Sequence, residues 1–186
     1  SFLCNLKNKV AQKKAEFIRE KGTNRSDYIG GNVSKYVWQE LGSSYLPSEL
    51  ISAFLFAQLN AAQKITAQRL ANWQVYHEAL SMNMKKACSG SIPDECKSNG
   101  HIYYLTTTTA SYCKKVIDEL AKNGIQATRH YVPLHDSPAG QKYGRTSGKL
   151  SVTESVHNRI LRLPTHVSMS ESEQSKIIDI VINTLG

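Results

Sequence analysis

The sequence predicts an α/β protein in which a long helix precedes a small domain of mixed strands and helices, an α+β domain. Three observations support this fold class. Apolar residues recur at helical spacing over residues 50–80, a strand, a helix and a second strand follow over 101–131, and a helix with a capping box begins after Ser170. With 186 residues, of which 40% are hydrophobic, the chain is long enough to bury a core of its own.

The first part of the chain combines one helix with a long loop. Apolar residues at helical spacing predict a helix over residues 10–21, which we expect to end at Gly22 in a left-handed cap. Glycine, asparagine and serine then punctuate residues 22–46, a composition that predicts an ordered loop. Loops of this length are uncommon in compact domains and are usually functional.

A single long helix is predicted next. Pro47 stands where the first turn of a helix tolerates proline, and the apolar positions from Leu50 to Leu80 continue without a breaker. These positions predict one helix of about 30 residues, which is longer than a small domain needs. We therefore expect this helix to connect two bodies or to line an interface.

The remaining elements belong to the small domain. In chain order they are a polar link over 85–99, a strand over 101–107, a helix over 111–123 with Gly124 past its end, a strand over 125–131, a loop over 132–151 and a helix over 153–161. In the last helix, Ser170 and Glu173 form a capping box, and apolar residues between Ile177 and Leu185 supply the buried face.

Composition excludes several classes of protein. The net charge of +8 raises the hypothesis of nucleic-acid binding, but the basic residues are spread along the chain without a dense tract. We therefore expect a solvated basic surface and no nucleic-acid partner. No run of about 18 apolar residues and no secretory signal occurs, so we expect no membrane partner and a cytoplasmic location.

The four cysteines, Cys4, Cys88, Cys96 and Cys113, form no CxxC pair and have no histidine at ligand spacing. This pattern argues against a metal site and indicates reduced thiols, as is usual in the cytoplasm. Disulfide bonds remain the alternative for a secreted protein.

No local motif names a reaction, because the sequence contains no GxGxxG, HExxH or GxSxG pattern. Several longer stretches, at matching separations, nevertheless resemble one family. These stretches are REKGTNRS (19–26), YVWQELGSSYLPSEL (36–50), AQLNAAQKITAQRLANW (57–73), HYVPLHDSPAG (130–140) and RILRLPTH (159–166). The chain resembles the DegT/DnrJ/EryC1/StrS sugar aminotransferases, most closely the dTDP-4-amino-4,6-dideoxygalactose transaminase branch.

The resemblance implies the C-terminal part of a fold-type-I transferase that depends on pyridoxal 5'-phosphate. It implies that residues 1–47 are a remnant of the large domain with an interface loop, 48–82 the interdomain helix, and 83–186 the small two-layer α/β domain. The expected reaction moves an amino group from glutamate to the C4 keto carbon of a nucleotide-linked 4-keto-6-deoxyhexose, a dTDP sugar, for lipopolysaccharide biosynthesis.

The resemblance also implies a homodimer whose active sites contain residues of both subunits. The family's Schiff-base lysine lies in a segment that would precede Ser1, so we assign no catalytic residue to this chain. We expect pyridoxal 5'-phosphate in the full-length enzyme, and we expect this chain alone to be inactive and not to retain it. The alternative is a catalytically silent remnant, or an interaction subunit that pairs with a separate lysine-bearing chain.

Cofactor contacts are implied for Ser43, Ser44 and Tyr45. The stretch from Gly42 to Leu46 matches a family segment of type Gly-x-Asn-x-Arg that reaches the cofactor phosphate across the dimer interface. Ser44 stands at the asparagine position and can still donate a hydrogen bond, whereas Leu46 cannot supply the charge of the family's arginine. The alternative role for the two serines is to cap the helix that follows.

Substrate contacts are implied for Arg25, with Lys21 close by, because a bidentate guanidinium suits a sugar-nucleotide diphosphate. Tyr36 and Trp38 are candidates for stacking on a ring. A solvated arginine and core aromatic side chains are the alternatives.

A second group of substrate contacts is implied for His130, Tyr131 and His135, which match a His-Tyr-x-Pro-Leu-His stretch bordering the family's active site. Histidines there offer hydrogen-bond donors near neutral pH. A purely structural hydrogen bond at a strand end is the alternative for each histidine.

Overall fold

The computed structural model describes residues 8–186 and has the mixed α/β fold that the sequence predicts. The chain divides into two compact units, Ser1–Asn60 and Ala61–Gly186. Cys4 lies outside the described residues. The other three cysteines are free thiols, of which Cys113 is buried.

Residues 8–60, the part of the first unit that the structure describes, form three helices, α1 (Lys9–Arg19), α2 (Arg25–Ile29) and α3 (Glu49–Asn60). Helix α1 begins after Asn8, whose side-chain oxygen accepts hydrogen bonds from the amides of Val10 and Ala11 at 2.9 and 3.3 Å. Helix α2 lies inside the segment predicted to be a loop, so that prediction was wrong for these five residues.

Helix α1 ends earlier than predicted. Glu20 is the C-cap, and both Lys21 (φ +62°) and Gly22 (φ +76°) are left-handed. The amide of Gly22 donates to the carbonyl of Phe17 at 2.7 Å, the long-range bond of a Schellman motif. The left-handed turn therefore begins one residue before the glycine that signals it in the sequence.

The buried residue Asn24 holds the loop after α2 in place through two hydrogen bonds to Val37. The amide of Val37 donates to Asn24 Oδ1 at 2.7 Å, and the Asn24 amide donates to the Val37 carbonyl at 3.3 Å. Thr23 and Trp38 form an isolated antiparallel bridge beside this pair. These contacts bring the two ends of the loop together.

The predicted long helix is interrupted. Helix α3 ends at Asn60 and α4 (Ala62–Leu80) follows after Ala61, whose φ and ψ of −94° and 0° leave the helical range. Ser48 Oγ accepts the amide of Ile51 at 3.4 Å and so occupies the N-cap position of α3. Pro47 therefore precedes the helix, and the expectation that it lies in the first turn was wrong.

The second unit contains a four-stranded antiparallel sheet. Its strands are β1 (Ala87–Ser89), β2 (Tyr103–Thr107), β3 (Thr128–Arg129) and β4 (Ile160–Leu163), in the order β1-β2-β4-β3. One prediction was wrong here and another was right only in part. The polar link contains β1, and the helix predicted over 153–161 ends at Val156. The chain then forms β4, which inserts between the two strands of the predicted strand–helix–strand unit.

The helices of the second unit, besides α4, are α5 (Ala110–Lys122), α6 (Pro138–Tyr143), α7 (Ser151–Val156) and α8 (Glu171–Leu185), with a 3-10 turn at Leu134–Asp136. Helix α5 is capped by Thr109 and followed by Gly124 at φ +74°. The predicted capping box of α8 is confirmed, because the Ser170 hydroxyl accepts the Glu173 amide and the Glu173 carboxylate accepts the Ser170 amide.

The core of the second unit lies between one face of the sheet and helices α4, α5 and α8. Along β2, Tyr103, Leu105 and Thr107 are buried, whereas Tyr104 and Thr106 alternate with them and point to the opposite face. Tyr76 of α4 is fully buried and donates its hydroxyl to the Pro164 carbonyl at 3.0 Å. The other face of the sheet carries the less buried side chains of β2, Tyr104 and Thr106.

Candidate functional site

A cleft in the first unit brings together three of the predicted site residues, Arg25, Tyr36 and Ser44. Its volume is about 450 Å³. The remaining lining residues are Arg19, Glu20, Lys21, Thr23 and Leu46. The residues that the sequence assigns to substrate and to cofactor phosphate thus share one cavity.

The cleft forms because the chain returns from the loop to pair with the end of α1. The Ser43 amide donates to the Ile18 carbonyl at 3.0 Å, the Lys21 amide donates to the Ser43 carbonyl at 3.1 Å, and the Tyr45 amide donates to the Arg19 carbonyl at 3.2 Å. Ser44 forms an antiparallel bridge with Glu20 at the same place. The pairing uses backbone groups alone, so it does not occupy the side chains of the lining residues.

Two glycines permit this close approach. A Cβ at Gly42 would lie 2.2 Å from the amide nitrogen of Gly22 and 2.8 Å from the carbonyl oxygen of Ile18. A Cβ at Gly22 would lie 1.7 Å from the carbonyl oxygen of Glu40. No larger residue fits at either position without moving the backbone that forms the cleft.

The cleft is cationic. Arg19 pairs with Glu16 at 2.6 Å, and the carboxylate of Glu20, with 8% of its side chain exposed, accepts the Ser26 hydroxyl at 3.0 Å. Across residues 8–186, the side chains of Lys21 and Arg25 form no ion pair or hydrogen bond. Two arginines and one lysine against one glutamate leave two positive charges in excess at neutral pH.

The other predicted residues of the first unit lie outside the cleft. Trp38 is 72% exposed, and Ser43 and Tyr45 are exposed as well. Tyr36, in contrast, lines the cleft, and its ring lies 5.5 Å from that of Tyr28. The alternative role of the serines as helix caps is excluded by the position of Ser48.

The lining residues fit the phosphate of pyridoxal phosphate but not its carbonyl chemistry. In the part of the chain that the structure describes, the hydroxyl of Ser44 has no hydrogen-bond partner, so it can donate to a phosphate oxygen beside Arg25. Every described lysine is exposed except Lys86, which is half-buried. None of them has the desolvated setting that stabilises an imine.

In the second unit, His130 lies beside the exposed face of the sheet. Its ring is half-buried, and its centroid is 6.5 Å from that of Tyr104. Burial lowers the pKa of His130, and the nearby charge of Arg162 lowers it further. His130 is therefore neutral at pH 7 and can both donate and accept a hydrogen bond.

His130 lines a cavity of about 550 Å³ that the sequence did not predict. Trp73 and Tyr103 form its aromatic wall, with ring centroids 5.5 Å apart. Two polar side chains also line the cavity. Lys97 belongs to the segment predicted to be a polar link, and His101 lies just after it. The one feature of the sequence that marks this site is the run of polar residues over 97–101.

The remaining predicted residues are not brought together with His130. Tyr131 is 87% exposed. His135 lines a separate cavity of about 450 Å³ beside Gln141 and Arg145. Its Nε2 atom lies 3.5 Å from Glu154 Oε1, but the two atoms lack the geometry of a hydrogen bond.

Neither a metal cluster nor a membrane span is found in the described part of the chain. Among residues 8–186, no group of three or more histidine, cysteine, aspartate or glutamate side chains is arranged to hold a metal ion. No helix in the same residues is long and apolar enough to cross a bilayer.

Comparison with known proteins identifies the class. Residues 3–182 match the DegT/DnrJ/EryC1/StrS aminotransferase family, and the chain belongs to this family. It is 25% identical over 173 residues to UDP-4-amino-4,6-dideoxy-N-acetyl-beta-L-altrosamine transaminase of Helicobacter pylori, covering 92% of this chain and 44% of that protein. It is 26% identical over 146 residues to an uncharacterized protein of Methanocaldococcus jannaschii, covering 76% of this chain and 37% of that protein.

The chain therefore spans less than half the length of these curated relatives. Among solved structures, the pyridoxal-phosphate form of a putative sugar aminotransferase, Spr1654 of Streptococcus pneumoniae, superposes with a TM-score of 0.79 at 17% identity. The match covers 97% of this chain and 46% of that one. At this identity the likeness shows the shared fold.

Proposed function

We propose that the protein takes part in the pyridoxal-phosphate-dependent transfer of an amino group from glutamate to the C4 keto carbon of a nucleotide-linked 4-keto-6-deoxyhexose. We propose a dTDP sugar used for surface polysaccharide, a cytoplasmic location and a homodimeric enzyme. Family membership supports the reaction class. The observation that carries the site assignment is the convergence of Arg25, Tyr36 and Ser44 on one cationic cleft.

When bound, pyridoxal 5'-phosphate supplies the electron sink that such amino transfer requires. The residues of this chain have binding roles. The Ser44 hydroxyl donates to a phosphate oxygen of the neighbouring subunit's cofactor, and Arg25 holds the diphosphate of the sugar nucleotide through its planar guanidinium. Tyr36, which lines the cleft, packs against a ring of the ligand.

In the second unit, His130 is proposed to orient the sugar. Its lowered pKa keeps the ring neutral, so one nitrogen donates to a sugar oxygen while the other accepts from a hydroxyl. Tyr131 and His135 are proposed to contact substrate as well, as in the family motif, with His135 acting from its separate cavity. The high exposure of Tyr131 fits a residue that becomes covered only when a ligand binds.

The reaction is tested by amino transfer from glutamate in the presence of pyridoxal phosphate. Product is measured for a dTDP-linked and a UDP-linked 4-keto-6-deoxyhexose, with the 186-residue chain and with the longest translation product of its gene. We expect transfer by the longer product and a preference for the dTDP sugar. Absence of transfer by both proteins with both sugars would contradict the proposed reaction.

Ser44 is tested separately from the reaction. Ser44→Ala should weaken binding of a phosphate ligand by roughly 1 kcal/mol, the usual worth of one hydrogen bond. Thermal stability should not change, because Ser48 and not Ser44 caps α3. Ser48→Ala is the matched control and should lower stability without changing affinity. Unchanged affinity in Ser44→Ala would remove Ser44 from the site.

A binding or interaction subunit without catalysis is the second candidate, and the exposed face of α3 favours it. Leu50 and Phe54 are 85% and 70% exposed, in a helix that has no buried residue. Such contiguous apolar surfaces are typical of interaction sites. This function predicts that adding a lysine-bearing family chain to the 186-residue chain yields a stable complex, whether or not sugar is present.

A further inference from the structure

Lys21 has a backbone conformation that its residue type disfavours. Its φ is +62°, and it is the one non-glycine residue with a positive φ among residues 8–186. The left-handed region crowds Cβ against the backbone carbonyl, so glycine usually occupies this position after a helix. Asparagine and aspartate tolerate the region through local hydrogen bonds, but lysine has no such compensation.

The fold does not need the side chain of Lys21. The residue contributes its amide to the Ser43 carbonyl at 3.1 Å, and the Schellman bond of Gly22 closes the same turn at 2.7 Å. A glycine in place of Lys21 would form the same backbone contacts without the steric conflict. Strain that packing does not require indicates a role for the side chain in function.

The position of the side chain indicates what that role is. Lys21 lines the cleft together with Arg25 and Ser44. The other two charged groups of the cleft already have ionic partners, since Arg19 pairs with Glu16 at 2.6 Å and lies 4.0 Å from the carboxylate of Glu20, which also accepts from Ser26. Lys21 and Arg25 therefore supply the two charges that remain without a partner in the described residues, and these charges match a dianionic phosphate group.

We propose that Lys21 is a phosphate-binding residue, held in a strained backbone conformation that places its ammonium group in the cleft beside Arg25. The inference rests on the proposed function, because it takes the ligand of the cleft to be a phosphate. The group could belong to a nucleoside diphosphate or to the cofactor, and the chemistry of recognition is the same. Glycine at this position would make the protein more stable but bind phosphate more weakly.

The experiment measures thermal stability and phosphate affinity in the same variants of the 186-residue chain. Calorimetric titrations at low salt use inorganic pyrophosphate and pyridoxamine 5'-phosphate, which cannot form an imine with a lysine. Lys21→Gly removes both the strain and the charge, and Lys21→Gln removes the charge alone. Lys35→Gln is the matched control, because Lys35 is an exposed lysine of the same unit that does not line the cleft.

We expect Lys21→Gly to melt about 2–4 °C higher than the parent chain and to bind phosphate roughly tenfold more weakly. Lys21→Gln should lose the same affinity without the gain in melting temperature, and Lys35→Gln should match the parent in affinity. An effect confined to pyrophosphate assigns the diphosphate, and one confined to pyridoxamine phosphate assigns the cofactor. Either result supports the proposal.

Lys21→Gln separates a phosphate-binding role from a structural one, because this variant keeps the backbone strain and loses only the charge. Parental affinity in Lys21→Gln, or a lower melting temperature in Lys21→Gly, would overturn the inference. Arg25→Ala separates this failure from that of the proposed function. If Arg25→Ala weakens binding and Lys21→Gln does not, only the assignment of Lys21 fails. If the parent chain binds neither phosphate, both the inference and the proposed site are wrong.

Discussion

Gly42 lies where the loop returns to the end of α1, and its replacement by alanine should open the cleft. The new Cβ would meet the nitrogen and Cα of Gly22 at 2.2 and 2.8 Å and the carbonyl oxygen of Ile18 at 2.8 Å. All three are backbone atoms. No side chain can rotate away to accommodate the methyl group, so the segment carrying Ser43 must move.

The cost follows from these contacts. Forced overpacking at a site with rigid neighbours costs about 1–3 kcal/mol. Movement of the segment also breaks at least one of the two hydrogen bonds that join Ser43 to Ile18 and Lys21, which adds about 1 kcal/mol. The total of about 2–4 kcal/mol acts locally, on the pairing that forms the cleft.

Hydrogen exchange of the Lys21 and Ser43 amides measures this local opening. We expect exchange in Gly42→Ala to be about 30- to 700-fold faster, since each 1.4 kcal/mol is a factor of ten. Gly31→Ala is the control, because Gly31 has φ +72° and a Cβ added there would have no atom within 4 Å, so only backbone strain is added. Parental exchange rates at Lys21 and Ser43 in Gly42→Ala would refute the reasoning.

Three further predictions concern titration and association. In the folded chain, NMR should give His130 a pKa below 6.5, and Arg162→Gln should raise it part of the way. Because the folded pKa is the lower one, the stability that neutral His130 contributes is complete above about pH 6.5 and is lost as pH falls through the folded pKa. Hydrogen bonds from the backbone amide and the hydroxyl of Ser170 lower the pKa of Glu173 below 4.5. The stability that ionised Glu173 contributes is complete above about pH 4.5 and is lost as pH falls through the folded pKa. The free energy of unfolding, measured in urea at about pH 3–6, should therefore fall less steeply with decreasing pH in Ser170→Ala than in the parent. Phe54→Glu should reduce self-association in sedimentation velocity, because it places a charge on the exposed apolar face of α3.

Each of these predictions has an outcome that contradicts it. An unchanged pKa of His130 in Arg162→Gln would show that the charge of Arg162 does not lower this pKa. An equal acid decline in parent and Ser170→Ala would show that the Ser170 hydroxyl does not stabilise the ionised carboxylate. A parent chain that is monomeric at high concentration would show that the apolar face of α3 is not an association surface.

Part of the candidate site could be predicted from the sequence. The motif REKGTNRS and the stretch around Ser44 predicted ligand contacts near Arg25, Lys21 and Ser44. These three residues line one cleft. The sequence could not separate them from Trp38, which lies outside it. Which side chains of this loop face the cleft depends on the hydrogen bonds between Asn24 and Val37, which are 13 residues apart.

The helices α1, α5 and α8 are determined largely by the sequence itself. Their apolar spacing, their caps and the glycines that follow them act within a few residues, and such local signals need no knowledge of the fold. Helix α8 shows this best, since the capping box of Ser170 and Glu173 forms as predicted. The family resemblance rests on the order and spacing of motifs, which the sequence alone contains.

Only the tertiary structure decided the strand order and the strain at Lys21. Strand β4 inserts between β2 and β3 because its apolar residues Leu161 and Leu163 face the core, whereas a short apolar run in the sequence is equally compatible with a helix. Lys21 is left-handed because its amide donates to the Ser43 carbonyl, 22 residues away. Pairings across such separations depend on the closure of whole loops, and no local pattern encodes them.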